Sequence, residues 1–191
     1  MIFTFLTNKL GGYNSLRQKF KKSNSSLIKK IYLILNKGLQ HETNSYLPFN
    51  NEIKGPINFL HGTYGIFISG GAIIGQNCTI YQQVTIGSNM LIDSKSLGSP
   101  TIGNNCLIGA GAKIIGNVHI GNNCRIGANT VVTKDLPDNS VIVLSTPIIY
   151  QKNNLVNNIY QKSPTGWGYR KNGLFVIEMN NEKLKLLNNL K

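Results

Sequence analysis

The chain has 191 residues, of which 41% are hydrophobic, and its 20 Lys and Arg against 7 Asp and Glu give a formal net charge of +13. This hydrophobic content excludes wholesale disorder, and the length predicts one domain with a buried core. No apolar run approaches the roughly 18 residues of a membrane span, and the apolar stretch at residues 2–6 is too short for a secretion signal, so we expect neither a transmembrane nor a secreted protein.

Positive charge is concentrated near the N-terminus. Residues 1–40 contain eight Lys and Arg and no acidic residue, whereas residues 55–150 are almost neutral. Helices are predicted over about residues 14–21 and 26–39, because the apolar residues from Leu27 to Leu35 recur at the spacing of one helical face. Such a basic arm fits a solvated face, peripheral contact with the inner face of a membrane, or nucleic acid, which is the least favoured of the three.

A six-residue repeat organises the middle of the chain. Ten positions spaced by six carry β-branched aliphatic residues, namely Ile68, Ile74, Ile80, Ile86, Ile102, Ile108, Ile114, Ile120, Ile126 and Val132. A glycine follows six of them, and a small or apolar residue usually stands four positions later. Neither a helix nor a simple strand has this period.

A short strand with a corner at every sixth residue explains the repeat. The aliphatic side chain then points inward, the glycine relaxes the backbone, and the small residue fills the interior. Three such sides close a coil of about 18 residues, and successive coils stack as parallel strands. The fold class predicted is mainly β, a hexapeptide β-helix with three parallel sheets between about residues 66 and 135.

The three cysteines follow the same repeat. Cys78, Cys106 and Cys124 all fall on the inward position that takes small residues. An odd cysteine count without a secretion signal predicts reduced thiols in the cytoplasm, so we expect these side chains to fill the core rather than to act as nucleophiles. No C-x-x-C motif or histidine cluster is present, and no metal site is predicted.

The spacing of the repeat also predicts a loop and the division of the chain. Ile86 and Ile102 are separated by two hexads and four extra residues, which predicts a loop at 88–100 that leaves a corner and borders a binding site. The predicted regions are a basic helical N-terminal region (1–52), the β-helix (53–143) and a C-terminal extension (144–191). The extension is predicted to contain a loop at 151–165, a strand at 173–177 and a helix at 182–190.

One of the three histidines is the candidate for chemistry. His41 is predicted at the surface of the linker before the coils, and His119 faces outward from a coil, toward solvent or a subunit interface. His61 lies where the chain enters the coils, and its neighbours Gly62 and Gly65 permit a tight turn that exposes the imidazole at an edge.

Five segments of the β-helix carry a resemblance to a known family. They are His61–Ile66, Gln82–Gly87, Ile108–Ile114, Ile126–Ala128 and Val131–Asp135. With them, the stretch from Ile53 to Val143 resembles the serine acetyltransferase-like group of hexapeptide acyltransferases, which includes enzymes that O-acetylate capsular and other surface sugars. The resemblance implies a left-handed coil, a homotrimer, and acetyl-CoA as the acyl donor in the cleft between neighbouring coils.

The resemblance also implies roles for single residues. His61 matches the general base, which would take a proton from the acceptor hydroxyl. The residues matched to CoA contacts are Ala110 and Ala128, one coil apart, and Thr133 and Lys134 near the nucleotide end. The acceptor-site candidates are Gln82, Gln83, Asp93 and Ser99, of which the last stands where serine acetyltransferases have a second histidine.

Departures from the serine acetyltransferases decide which acceptor is predicted. Those enzymes have an Asp directly before the histidine, where this chain has Leu60, and an imidazole-orienting Asp that aligns near Tyr46. The closing motif at 144–149 lacks its Arg, for which Lys152 is the substitute considered. We therefore predict a cytoplasmic O-acetyltransferase that acts on a sugar of a capsular or surface polysaccharide. The alternatives are a serine O-acetyltransferase of cysteine biosynthesis and a non-catalytic β-helical scaffold or polyanion-binding protein.

Overall fold

The computed structural model describes residues 1–146, 149, 151 and 157–189, and the chain divides into two units, 1–146 and 147–191. The helices and strands are α1 (Ile2–Lys9), α2 (Gly12–Lys22), α3 (Ser26–Thr43), β1 (Glu52–Ile53), β2 (Phe67–Ile68), β3 (Ile73–Ile74), β4 (Thr79–Ile80), β5 (Thr85–Gly87), β6 (Thr101–Ile102), β7 (Leu107–Ile108), β8 (Lys113–Ile115), β9 (His119–Ile120), β10 (Arg125–Ile126), β11 (Val131–Val132), β12 (Val141–Ile142), β13 (Tyr160–Ser163), β14 (Gly166–Lys171), β15 (Leu174–Ile177) and α4 (Asn181–Asn188).

Strands β1 to β12 form a left-handed parallel β-helix, which confirms the predicted fold class. Its three sheets have the strand orders β1-β3-β6-β9, β2-β5-β8-β11 and β4-β7-β10-β12, and every pairing within them is parallel. Equivalent hexad residues face each other, as Ile108 pairs with Ile126 and Ile114 with Val132. All ten hexad side chains are at most 1% exposed, so the predicted register is confirmed.

The repeat glycines serve a different purpose from the one predicted. None of the six has a positive φ, so they do not relax the corners. A Cβ on Gly103 would instead lie 2.7 Å from the carbonyl of Gly121 in the next coil, where no side chain fits. The left-handed corner positions include Asn105 and Asn123, with φ of 56° and 57°, a conformation that asparagine adopts more readily than most residues.

The first coil begins before the region in which the hexads are regular. Tyr46 pairs with Phe67 and β1 pairs with β3, so the stretch predicted as a linker forms sides of a coil. Leu47, Ile53 and Phe59 are themselves six residues apart, and nine residues separate Phe59 from Ile68. The surplus of three residues leaves the coil as a turn, and His61 lies in it.

The N-terminal region has three helices, of which α2 and α3 confirm the two predicted and α1 was missed. Eight residues are too few for a clear helical period, and a tertiary contact stabilises the start of α1. Glu42 accepts hydrogen bonds from Thr4 N at 2.8 Å and Phe3 N at 3.1 Å. Desolvation opposes ionisation of this carboxyl, but the hydrogen bonds from Thr4 and Phe3 and the charge of the N-terminal amine lower its pKa to about 2.

Helix α2 is attached to the first coil by polar contacts. Asn14 donates to Ile57 O at 2.8 Å and accepts from Ile57 N at 3.1 Å. Arg17 donates to Asn51 O at 2.8 Å. These contacts hold the helices over the end of the β-helix, beside the turn that carries His61.

The C-terminal unit contains an antiparallel sheet, β13-β14-β15, and α4. Strand β15 and helix α4 confirm the two predicted elements over the described residues. The loop predicted at 151–165 was wrong at β13, where Tyr160 pairs with Tyr169 of β14 at a ring distance of 5.3 Å. Cross-strand aromatic pairs of this kind stabilise sheets and cannot be read from a local pattern. Across the described parts of the chain, no helix has the length and apolarity needed to cross a membrane.

Candidate active site

The turn that carries His61 depends on two glycines. Gly62 and Gly65 have φ of 71° and 64°, a left-handed conformation that is strained for most other residues. Gly62 N donates to Phe59 O at 3.1 Å, and Gly65 N donates to Thr43 O at 2.9 Å. These bonds close the turn and leave the His61 side chain exposed at its edge, as predicted.

One side chain of the next coil holds the imidazole. His61 Nδ1 lies 2.7 Å from Gln82 Oε1, and the ring of Tyr81 meets the imidazole edge-on at 5.3 Å. An amide oxygen only accepts, so this contact places a proton on Nδ1. In the neutral ring Nε2 is then unprotonated, and within the described residues it has no hydrogen-bond partner. This is the form of imidazole that can act as a base.

A cavity of about 390 Å³ extends from His61 along the coils. Gln82 is a polar side chain that lines it near the imidazole, and Leu107 and Ile126 are among its apolar lining residues. Ala110 and Ala128, predicted as CoA contacts, both line it together with the glycine that precedes each of them. Small residues keep this channel open, and its apolar lining suits an extended chain of low polarity.

A second cavity, of about 530 Å³, also has His61 among its lining residues. Residues of α1, α2, the end of α3 and the turn line it, and hydroxyl and amide groups such as Thr4, Asn8 and Asn14 are prominent. Among the described residues, no Asp, Glu, Lys or Arg lines it. His61 therefore borders both an apolar channel and a neutral polar cavity.

The remaining predicted site residues lie elsewhere on this chain. Gln83 and Asp93 are exposed and line neither cavity, and Ser99 is hydrogen-bonded to Ser88 at 2.7 Å in the loop that leaves the coil. Of the four acceptor-site candidates, the structure brings only Gln82 to His61, and as its hydrogen-bond partner.

Thr133 and Lys134, matched to the nucleotide end of CoA, are exposed and do not line the channel. The degenerate closing motif lies partly outside the described residues, as does Lys152.

Part of the site was not predicted. The lining residues of α1 were missed because α1 itself was not predicted, and Tyr81 of the coils was not singled out either. Tyr46, where an orienting carboxylate was sought, stacks on Phe67 at 4.8 Å and lines neither cavity. The spacing of nine instead of six residues between Phe59 and Ile68 interrupts the hexad repeat, and it could have located the turn.

The three cysteines are buried and free, as expected of core residues. Cys78, Cys106 and Cys124 each lie with Sγ 3.1–3.2 Å from a backbone carbonyl oxygen of the adjacent coil. None of them lines either cavity beside His61. Across the described residues, no three His, Cys, Asp or Glu side chains are grouped as metal ligands would be.

Comparison with known proteins finds similarity over part of the β-helix. Residues 99–134 match the family described as bacterial transferase hexapeptide (six repeats). The serine acetyltransferase of Mycobacterium tuberculosis is 41% identical over 85 residues, 44% of this chain and 36% of that protein. That of Synechococcus elongatus is 43% identical over 94 residues, 49% of this chain and 38% of that protein.

Solved structures show the same relationship. Serine acetyltransferase isoform 3 of Entamoeba histolytica, in complex with cysteine, has a TM-score of 0.57 at 28% identity, over 73% of this chain and 49% of that one. The soybean serine acetyltransferase apoenzyme has a TM-score of 0.53 at 29% identity, over 67% and 50%. The alignments thus span about half or less of these relatives.

These relatives correct the predicted acceptor. A sugar of a capsular or surface polysaccharide was predicted because carboxylates typical of serine acetyltransferases are missing. The relatives nevertheless carry the name serine acetyltransferase, in the curated proteins and in the solved structures alike. The polysaccharide acceptor was therefore wrong, and the serine alternative is the one that the comparisons support.

Proposed function

We propose that this chain transfers an acetyl group from acetyl-CoA to the hydroxyl of serine, with His61 as the general base. The observation that carries the proposal is that His61 lines two cavities, with Nδ1 bound by Gln82 and Nε2 available. A hydroxyl is a weak nucleophile near neutral pH, and a positioned imidazole is suited to take its proton.

The proposed reaction is a single acyl exchange. Nε2 of His61 takes the proton of the serine hydroxyl as the oxygen attacks the thioester carbonyl. The tetrahedral intermediate then collapses, the carbon–sulfur bond breaks, and the sulfur of CoA leaves with the proton that the imidazolium returns. The products are O-acetylserine and CoA with a free thiol, so no oxidant, reductant or metal enters the balance.

The donor is assigned to the apolar channel. Pantetheine is an extended, uncharged arm, and the channel that contains Ala110 and Ala128 runs along stacked coils from His61. This orientation would bring the thioester to the imidazole while the arm lies over small residues. The support is geometric and agrees with the family resemblance.

The acceptor is assigned to the polar cavity. Amide and hydroxyl groups from the N-terminal helices can hydrogen-bond serine, but among the described residues no charged side chain lines the cavity to pair with its ammonium or carboxylate. Neutral partners bind charged groups less strongly than ion pairs do. We therefore expect a high KM for serine on this chain.

We also propose that the chain works as a homotrimer. Outward apolar side chains on the coil strands support it, since Phe67, Leu107, Val131 and Val141 are 38–67% exposed. A neighbouring coil would cover such residues and add a second wall to the donor channel. Sedimentation that shows only monomer at micromolar concentration would contradict this assembly.

The test is release of CoA thiol from acetyl-CoA in the presence of serine, with threonine and glycerol as comparison acceptors. His61→Ala should lower kcat by about 10²- to 10⁴-fold, the usual contribution of general-base catalysis. His41→Ala is the matched control, because His41 is exposed on α3 and lines neither cavity. A His61→Ala variant that keeps more than about a tenth of the wild-type kcat would overturn the assignment of the base.

A further inference from the structure

We infer that the outer surface of the N-terminal helices binds a bilayer that contains anionic lipid. This surface, called here the basic apolar face, consists of exposed side chains of α1 and α3. Its apolar members are Ile2, Phe5, Leu6, Leu27, Ile28, Ile31 and Ile34. The inference is independent of the proposed acetyl transfer and concerns where the protein works.

The apolar members of this face are strongly exposed. Ile2 and Leu27 are each 69% exposed, Ile34 is 60% and Phe5 is 57%, while the hexad residues of the coils are at most 1% exposed. Single exposed apolar residues are ordinary, but several on adjoining helices form a patch of the kind that marks an interaction surface.

Helical spacing and one contact bring these residues to a common surface. Ile31 and Ile34 lie on one stripe of α3, and Gly38 continues that stripe one turn later. The ring of Phe3 in α1 packs against Gly38, since a Cβ added to Gly38 would clash with that ring. The exposed residues of α1 therefore adjoin the exposed stripe of α3.

The charge at the edge of this surface favours an anionic partner. Lys9 lies with Nζ 4.7 Å from the centre of the Phe5 ring, at the end of the exposed side of α1. Lys30 and Lys37 are exposed and flank Ile34 at helical spacing on α3. No acidic residue precedes Glu42, and the carboxylate of Glu42 is hydrogen-bonded to the start of α1.

The same lysines argue against a second copy of the chain as the occupant. A symmetric contact through this face would bring lysines of both copies together, and like charges in contact are unfavourable. A bilayer with anionic headgroups instead accepts the apolar side chains between its headgroups and attracts the lysines around them. Apolar burial and electrostatic attraction then act at the same surface.

The experiment is co-sedimentation of the full chain with two kinds of vesicle. One kind is phosphatidylcholine alone, and the other contains about a third phosphatidylserine, each at low and at physiological salt. We expect binding to the anionic vesicles at low salt that weakens as salt is added, and little binding to the neutral ones.

Two variants separate the contributions of charge and apolar contact. Replacement of Lys9, Lys30 and Lys37 by Gln should weaken binding to anionic vesicles at least about tenfold. The matched control replaces Lys162, Lys171 and Lys185 of the C-terminal unit by Gln and should bind like wild type. The double variant Ile31→Asn and Ile34→Asn should also weaken binding, and since both side chains are exposed, its melting temperature should stay near that of wild type.

Three outcomes would overturn the inference. The first is equal binding to neutral and anionic vesicles, and the second is equal loss of binding in the two charge-removed variants. The third is an absence of binding to anionic vesicles at low salt. If the Ile31→Asn and Ile34→Asn variant then also shows a smaller oligomer, the face belongs to a contact with a second copy. Acetyl-transfer assays in solution report separately on the proposed function.

Discussion

Replacement of Gln82 by Leu is the sharpest test of how the imidazole is held. The substitution keeps most of the side-chain volume and removes the acceptor that lies 2.7 Å from His61 Nδ1. A hydrogen bond of this kind contributes about 0.5–1.5 kcal/mol net. If that energy keeps Nε2 unprotonated and aimed at the acceptor, kcat should fall by about 2- to 13-fold.

The assay is thiol release at saturating acetyl-CoA, measured across pH. Gln82→Glu is the informative second variant, because a carboxylate beside an imidazole stabilises the protonated ring. The acidic limb of its kcat profile should then move upward by about one pH unit, a modest shift because the pair is partly exposed to solvent. Gln76→Leu is the matched control, since Gln76 is exposed on the coil and its side chain has no hydrogen bond within the described structure.

Either of two results would contradict the role of Gln82 in holding the imidazole. A Gln82→Leu variant with the kcat of wild type would show that this contact does not position the base. A Gln82→Glu variant whose pH profile overlays that of wild type would show that the two side chains do not interact during turnover. A purely structural role for Gln82 would lower the melting temperature without moving the pH profile.

Three further predictions concern stability and the donor channel. Gly103→Ala should lower the free energy of unfolding in urea by about 1–3 kcal/mol, because its Cβ would lie 2.7 Å from the backbone of the next coil. Gly87→Ala should lower it less, because that Cβ would meet only a flexible side-chain end at 3.0 Å. Equal losses in the two variants would contradict the role given to the stacked backbones. Because the pKa of Glu42 is lowered to about 2 from 4.5, its contribution to stability is complete above about pH 4.5 and is lost as the pH falls through about 2. The melting temperature of wild type should therefore fall more steeply over that window than that of Glu42→Gln, and parallel curves would refute the linkage. Ala128→Leu should raise KM for acetyl-CoA at least about tenfold by filling the channel, and an unchanged KM would place the donor elsewhere.

The β-helix was predictable because its cause is local and repeated. A β-branched residue at every sixth position directs one side chain inward on each side of each coil, and Ile108 and Ile126 are paired as the spacing requires. The glycines were recognised correctly but for the wrong reason. For Gly75, Gly103, Gly109 and Gly121 the need arises from the distance between stacked backbones, which a single sequence does not contain.

The exposed turn that carries His61 was also predictable, while the hydrogen-bond partner of the imidazole was not. The glycines beside His61 indicate a tight turn, and the interval between Phe59 and Ile68 exceeds a hexad by three residues. Gln82 is 21 residues away and reaches His61 only because the coils stack. The family pattern places an orienting carboxylate near Tyr46, but in this chain the side chain that holds the imidazole is the neutral Gln82.

What the sequence by itself determined is the repeat, the inward register and the turn that exposes His61, because each follows from residue types at short spacing. Only the tertiary structure decided that Gln82 holds the imidazole, that α1 completes the polar cavity, and that the apolar side of α3 remains exposed. Each of these depends on which distant segments pack together. Helical spacing shows that a face of α3 is apolar, but only the packing of α1 and α2 shows which part of that face they leave open to a partner.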